Sequence, residues 1–259
     1  MHKVYGILLL MMMVCIGCQW QLRPDNHDAD NHHVNVQRYD RIESLYLTTG
    51  DFSALQQMNT YFPMQTRMLI EDVLHLGQVS DKDINTKFLY FFQDSTLQRM
   101  LADVQQQFAD MTDIDEELAA TFGRLLEELP TLPLPEIYAQ IGSFDQSIIV
   151  GNGTLGISLD KYLGEEYPFY QTHYTQEQRR MMTRSMIVPD CLAFYILSQY
   201  PMSHIKQEQQ HERDYHMGKI QWTVNQLIGR QVFDNEHVKE IDEYMKLHPS
   251  ISIRQLLTL

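Results

Sequence analysis

The feature that most constrains this chain is an uninterrupted apolar run from Val4 to Ile16, which stops just before a cysteine. A membrane-spanning helix needs about 20 apolar residues, so this run is too short to cross a bilayer. It follows the basic Lys3 and precedes Gly17 and Cys18. This order is typical of a secretory signal peptide that ends at a lipidated cysteine. We therefore predict a lipoprotein signal peptide over residues 1–17 and lipidation of Cys18.

Two alternatives to lipidation stay open from the sequence, namely ordinary signal cleavage and an uncleaved membrane anchor. Cys15 stands three residues before Cys18, where leucine is commoner in lipoprotein signals. A cysteine that carries two or more acyl chains anchors a protein stably, whereas a single chain binds a membrane only marginally.

The segment that follows the cysteine is polar and lacks apolar periodicity. We predict that residues 18–36 form a tether between the lipid and a folded domain. Five side chains in this segment could bind a metal ion, namely those of His27, Asp28, Asp30, His32 and His33. A flexible segment must order itself before it can hold an ion well, so we interpret it as a solvated linker.

The charge balance and the cysteine count narrow the class of protein. The formal net charge is −14, and loss of Lys3 with the signal peptide would leave −15. Such acidity disfavours binding to nucleic acid and electrostatic docking on anionic membranes. Cys191 is the only cysteine after Cys18, so we expect no intramolecular disulfide and interpret Cys191 as a small buried apolar residue.

Apolar periodicity predicts a mainly helical chain with one small β region. The pattern is helical from Tyr39 to Leu129, and the prolines at 130, 133 and 135 end it. Alternating residues from Ile137 onwards, and two β-rich runs around the turn at 151–153, predict strands and a hairpin. Further helices are predicted near 175, and over 186–200, 207–228 and 235–247. The predicted fold class is therefore α+β, mainly α-helical with a small antiparallel sheet or hairpin, in a single domain over 37–259.

Three polar positions predict helix N-termini. Ser95 is placed to cap a helix, and Thr112 with Asp115 resembles a capping box. Thr175 with Gln178 forms a second such pair. Each position therefore marks the expected start of an amphipathic helix.

The candidate catalytic groups do not form a known motif. His211 and His216 are five residues apart, so on a helix they lie about 140° apart and cannot both reach one ion without a π-bulge. Asp160 and Asp190 could act as an acid–base pair if they met in a cleft, with His211 as a third group. Asp160, Asp190 and His211 are therefore the candidate catalytic groups, and we predict no metal site and no cofactor.

Two segments after the hairpin carry specific motifs, namely Leu155–Gly164, which contains Asp-Lys-Tyr-Leu-Gly, and Tyr167–Tyr170. They resemble the gliding-motility lipoprotein B (GldB) family of Bacteroidetes. Other matching segments, in the order of the family, are 38–40, 141–147, 187–190 and 218–219. Ser158 stands where glycine is expected, so this chain is interpreted as a divergent member.

The resemblance implies a non-catalytic lipoprotein that takes part in a motility or secretion-type assembly of the cell envelope. It implies a lipid-mediated membrane association and other envelope proteins as partners. The order of hairpin and helix is also similar to that of zinc proteases, which implies a zincin-like fold. The helix over 186–200 has no histidine, so such a fold would lack the metal site. A degenerate or atypical metallopeptidase-like hydrolase is the alternative, and a binding module for a glycan or peptide is a third hypothesis.

Four aromatic side chains that follow the hairpin are candidates for a contact surface. They are Tyr162, Tyr167, Phe169 and Tyr170, and burial against the helices is the competing interpretation. The residues just after Cys18 are not acidic, unlike export signals of surface lipoproteins in this phylum. We therefore expect the outer membrane, on its periplasmic face, as the location.

Overall fold

The computed structural model describes residues 34–202 and 210–259. Cys18, the predicted signal peptide and the histidines of the predicted tether lie outside the described residues. The helices in the described parts are α1 (Tyr39–Thr49), α2 (Phe52–Tyr61), α3 (Pro63–Arg67), α4 (Ile84–Phe91), α5 (Ser95–Gln107), α6 (Thr112–Glu128), α7 (Pro168–His173), α8 (Gln176–Arg180), α9 (Ile187–Gln199), α10 (Gln210–Ile228), α11 (Glu236–Leu247) and α12 (Ile253–Thr258). A π-helical turn (Met68–Val73) and two 3₁₀ turns (Leu159–Lys161 and Arg184–Met186) complete the helical structure.

The strands in residues 34–202 and 210–259 form one four-stranded mixed sheet in the order β1-β2-β4-β3. They are β1 (Val36–Gln37), β2 (Glu136–Gln140), β3 (Ile148–Val150) and β4 (Thr154–Ser158). β1 pairs parallel with β2, β2 pairs parallel with β4, and β3 pairs antiparallel with β4. The α+β class and the hairpin are confirmed, but the expected antiparallel sheet is mixed.

β2 and β4 are parallel because the strand between them in sequence, β3, runs in the opposite direction. β3 lies on the side of β4 that faces away from β2. β2 therefore reaches β4 only through the loop 141–147, the strand β3 and the turn at 151–153. All residues of β2 except Glu136 are buried, which is typical of a parallel strand covered on both faces.

The predicted helix starts are partly confirmed. The capping box of Thr175 and Gln178 is present at the start of α8. Asp94, not Ser95, caps α5, and its carboxylate accepts from the backbone N–H groups of Thr96 and Leu97.

The capping box predicted at Thr112 is absent. α6 begins at Thr112 itself, so Thr112 lies inside the helix and Met111 occupies the N-cap position. Asp115 accepts a hydrogen bond from the backbone N–H of Val36 at 2.8 Å instead of capping its own helix.

The hydrophobic core lies between the sheet and the long helices. α9 contacts β3, β4, α6 and α10, and most of its side chains are buried. Pro189 lies in the first turn of α9, as predicted, where its missing N–H costs nothing. Cys191 is fully buried there, and burial raises the pKa of its thiol, which confirms its interpretation as a core residue.

Candidate functional site

The motif segments of the sequence meet at one edge of the sheet. The loop 141–147 follows β2, and the turn 159–161 follows β4. β2 and β4 are parallel neighbours, so these two segments leave the sheet at the same edge. In sheets with parallel strands, this edge is where functional residues commonly gather.

The side chain of Asp160 binds the backbone of the loop 141–147. Its side chain is fully buried, and its two carboxylate oxygens accept from the backbone N–H groups of Gly142, at 2.7 Å, and Phe144. Burial raises the pKa of this carboxyl group, while the two N–H donors act in the opposite direction. Both oxygens are therefore occupied by the backbone, which gives Asp160 a structural part in the loop.

The loop itself has an uncommon backbone. Ser143 and Phe144 have φ angles of 55° and 67°, in the left-handed region that residues with a Cβ rarely adopt. The carbonyl of Phe144 accepts from Lys161 Nζ at 3.1 Å and from the Tyr174 hydroxyl at 2.8 Å. These contacts and those of Asp160 hold both the N–H and the carbonyl of the same residue, Phe144, so they offset the cost of the strained conformation.

Glu43 of α1 supports the start of the loop. Its Oε2 atom accepts from the backbone N–H of Ile141 at 3.0 Å. Within the described residues its Oε1 atom has no hydrogen-bond partner, and neither do the Tyr138 hydroxyl and Gln140 Oε1. Burial, together with the nearby Asp40 and Asp160, raises the pKa of Glu43 well above its usual range. This carboxyl group therefore keeps its proton to a higher pH than an exposed glutamate does.

Asp40 is the third buried carboxylate, and it is paired. Arg38 donates two hydrogen bonds of 2.8 Å to its two oxygens and a further one of 2.7 Å to the Phe108 carbonyl. A bidentate guanidinium offsets the cost of burying the Asp40 charge. The pair also ties the start of α1 to the end of α5.

The four aromatic candidates lie partly inside the core. Tyr162 and Tyr170 are buried, so they cannot form the surface proposed for them, whereas Tyr167 and Phe169 are half-buried. The Tyr170 hydroxyl donates to the Asp160 carbonyl, and the Tyr162 hydroxyl donates to Asp190 at 2.8 Å. Tyr162 and Tyr170 are buried because their rings pack in the hydrophobic core.

A column of stacked rings reaches the surface beside the loop. Phe169 stacks between Phe144 and His173, with ring centroids 4.0 Å apart on each side. His173 is exposed, and the Tyr167 hydroxyl donates to Asp103 at 3.0 Å. The accessible part of the aromatic segment is therefore small and consists mainly of Phe169 and His173.

The three candidate catalytic groups lie in different surroundings. Asp160 is bound to the loop, and Asp190 is bound to Tyr162 in the first turn of α9. Burial raises the pKa of Asp190 to about 7. His211 is exposed and lines a cavity that neither aspartate lines.

The two histidines of the metal-like motif point to different partners. The His211 ring lies 5.4 Å from that of His237, and His216 hydrogen-bonds to the Tyr200 carbonyl at 2.8 Å through Nε2. Among residues 34–202 and 210–259, no three His, Cys, Asp or Glu side chains are grouped so that they could hold a metal ion.

Residues 19–234 match the model of the family described as gliding motility protein GldB. The chain belongs to the GldB family. The match covers the loop, both segments of the hairpin and the buried carboxylates of α1, so the carboxylate-held loop lies inside the GldB region. Comparison with curated proteins and with solved structures gave no match.

Two positions of the GldB motif segments, Gly142 and Ser158, lie close together where the loop follows β2. Gly142 lies so close to β4 that an added Cβ would be 2.8 Å from Ser158 Oγ. Ser158, where the family resemblance leads one to expect glycine, is buried and accepts a hydrogen bond from Gln140 at 3.3 Å. The divergent residue is thus accommodated by a polar neighbour on β2.

Two further residues of this GldB site, Glu43 and Gln140, were missed by the sequence analysis. Glu43 shares the buried face of α1 with Tyr39, Tyr46 and Leu47, a spacing of three to four residues. An acidic residue on the apolar stripe of a helix was the signal that could have revealed it.

No helix in the described parts of the chain is long and apolar enough to cross a membrane.

Proposed function

We propose that this GldB-family protein is anchored by lipid at Cys18 to the periplasmic face of the outer membrane, after removal of residues 1–17. Support comes from the short apolar run before Gly17 and Cys18 and from the family match that begins at residue 19. Two or more acyl chains on Cys18 would hold the domain at the membrane without a membrane-spanning helix.

We further propose that it serves as a non-catalytic component of a motility or secretion-type assembly, with other envelope proteins as its partners. The observation that carries this proposal is the pair of hydrogen bonds that Asp160 accepts. Both of its oxygens bind backbone N–H groups of the loop 141–147. An enzyme that used Asp160 as a base would need one oxygen directed at a substrate proton. The family motif therefore builds a rigid surface loop.

The exposed tip of this loop is the proposed contact region. Asp145 and Gln146 are exposed, and they follow Phe144, whose ring stacks on that of the half-buried Phe169. A rigid loop loses little conformational entropy on binding, so it is suited to recognise another protein.

The test is in-cell crosslinking and co-purification with the wild type, Cys18→Ala and the double variant Asp145→Ala/Gln146→Ala. Metabolic labelling with palmitate reports lipidation. We expect labelled wild type with a fixed set of envelope partners, no label on Cys18→Ala, and loss of partners in both variants. The matched control is Phe52→Ala, which changes an exposed side chain of α2.

Each part of the proposal has its own contrary result. Palmitate label on Cys18→Ala would contradict the anchor. Unchanged partners in the loop variant would contradict the contact region. A correctly located wild type that captures no partner would contradict the assembly role.

A further inference from the structure

The turn between β3 and β4 contains the sequence Asn152-Gly153, and asparagine is followed by glycine nowhere else in the chain. Both residues are exposed. The turn precedes β4, whereas the loop 141–147 lies near the other end of that strand. Asparagine is one of the thermolabile residues of proteins, and a glycine after it brings a backbone nitrogen that no Cβ shields. The pair therefore combines a labile side chain with an accessible neighbour.

The backbone nitrogen of Gly153 is unobstructed. Gly153 has a φ of 78°, in the left-handed region that favours glycine. A Cβ added to it would meet no heavy atom within 4 Å outside the adjoining residues. Within residues 34–202 and 210–259, no group accepts a hydrogen bond from its N–H. The nitrogen can therefore approach the Asn152 side chain without displacing a packed neighbour or breaking a hydrogen bond.

Two other exposed asparagines of the domain lack these features. Asn59 lies in α2 and Asn85 lies in α4, and a threonine follows each of them. The helical backbone fixes the position of the next nitrogen, and the branched side chain of threonine crowds it. These two residues share the residue type and the exposure of Asn152, so they serve as controls within the same molecule.

We propose that Asn152 is a site of spontaneous deamidation, in which the backbone of Gly153 supplies the nucleophile and water is the co-reactant. The Gly153 nitrogen gives up its proton and forms a bond with Cγ of Asn152. The bond from Cγ to Nδ2 breaks, and Nδ2 takes up a proton and leaves as ammonia. Water then opens the five-membered imide at either carbonyl carbon, which yields aspartate or isoaspartate. This modification is independent of the proposed assembly role.

The isoaspartate product changes the backbone of the turn. It places one more methylene group in the main chain just before Gly153, between two hydrogen bonds that hold the turn. The Gly151 N–H donates to the Thr154 carbonyl and the Glu136 N–H donates to the Gly153 carbonyl, both at 2.9 Å. Glu136 and Thr154 also form the first pair of β2 with β4. The modification therefore loosens the hairpin and the start of the parallel pairing.

The test follows the purified protein during prolonged incubation at neutral pH. Peptide mapping by mass spectrometry measures deamidation at each asparagine, with a fragmentation method that distinguishes isoaspartate from aspartate. We expect Asn152 to deamidate at least several-fold faster than Asn59 and Asn85, with isoaspartate among its products. Equal rates at the three residues would overturn the proposal. Aspartate without isoaspartate at Asn152 would also overturn it, because direct hydrolysis does not pass through the imide.

The matched variant is Asn152→Gln, since the same attack on glutamine closes a six-membered ring and is much slower. The side chain is exposed, so we expect the variant to fold normally. After equal incubation, the wild type should contain a second population with a lower Tm, whereas Asn152→Gln should keep a single transition at its initial Tm. A wild type that has formed isoaspartate and melts like the fresh protein would overturn the effect on the turn.

Discussion

Three fully buried carboxyl groups at the edge of the sheet differ in how their burial is offset. Asp40 has a guanidinium, Asp160 has two backbone N–H groups, and Glu43 has one. The degree of compensation decreases in that order, and Glu43 is the one whose pKa is raised well above its usual range. Burial raises the pKa of both Asp160 and Glu43, and the backbone N–H groups that bind each carboxyl group oppose this rise.

The first prediction concerns the hold of Asp160 on the loop. Asp160→Asn replaces one accepting oxygen by an NH₂ group that faces a backbone N–H donor. A buried donor left without an acceptor costs about 1–3 kcal/mol, so we expect a loss of about 2 kcal/mol in the free energy of unfolding. Urea denaturation measures it, and Asp145→Asn, in the exposed part of the same loop, should change the stability by less than about 0.5 kcal/mol. Equal stability of both variants would contradict the structural part given to Asp160.

The second prediction concerns pH and Asp190. Burial raises the pKa of Asp190 to about 7, whereas in the unfolded chain it is about 4. The folded state binds this proton more tightly, so the contribution of Asp190 to stability is complete below about pH 4 and is lost as the pH rises through about 7.

Asp190→Asn removes this titration and keeps an oxygen that accepts from Tyr162. The free energy of unfolding of the variant, relative to that of the wild type, should therefore rise between pH 4 and about 7 and then level off. Urea denaturation of both proteins at five pH values across this window measures the difference. Stability curves that stay parallel would show that Asp190 titrates normally.

At the scale of elements, patterns within one segment of the sequence predicted the helices and the hairpin formed by that segment. The turn at 151–153 predicted the hairpin β3–β4, and apolar stripes predicted α5 and α6, because both signals lie within one segment. The parallel pairs β1–β2 and β2–β4 join distant segments, and no feature of one strand specifies its partner.

The same reason limited the prediction of the site. Asp160 and the loop 141–147 were singled out from contiguous motifs. Glu43 binds Ile141 across 98 residues of sequence, so its part in the site becomes visible only in the folded chain. His211, which the hydrolase hypothesis grouped with Asp160 and Asp190, lines a cavity that neither aspartate lines.

The third prediction tests the pairing of β2 with β4. Tyr138 lies beside Gly156 in this register, and an added Cβ on Gly156 would be 2.6 Å from the Tyr138 hydroxyl. Gly156→Ala should therefore destabilise the domain by about 1–3 kcal/mol. Gly123→Ala, inside α6, meets nothing within 4 Å and should stabilise the domain by about 0.5–1 kcal/mol. Thermal denaturation of both variants compares them, and a tolerated Gly156→Ala would contradict the register.

At the scale of the whole molecule, the hydrolase alternative differs from the assembly role in its need for a metal. The described parts of the chain offer no group of three ligands, so we expect EDTA to leave the Tm of the mature protein unchanged. Calorimetry before and after chelation measures this, with excess zinc added back as the control. A lower Tm after chelation, restored by zinc, would favour the metallopeptidase-like alternative.

The two-residue strand β1 lies where the predicted tether enters the domain. Val36 is held by its pairing with Ile137 and by the hydrogen bond to Asp115, and Arg38 follows with its bonds to Asp40 and Phe108. Tension along a tether fixed at Cys18 would load these bonds in that order. β1 would peel away first and leave the pairs β2–β4 and β3–β4 intact. The Arg38 contacts would bear the load next, before any force reached the rest of α1.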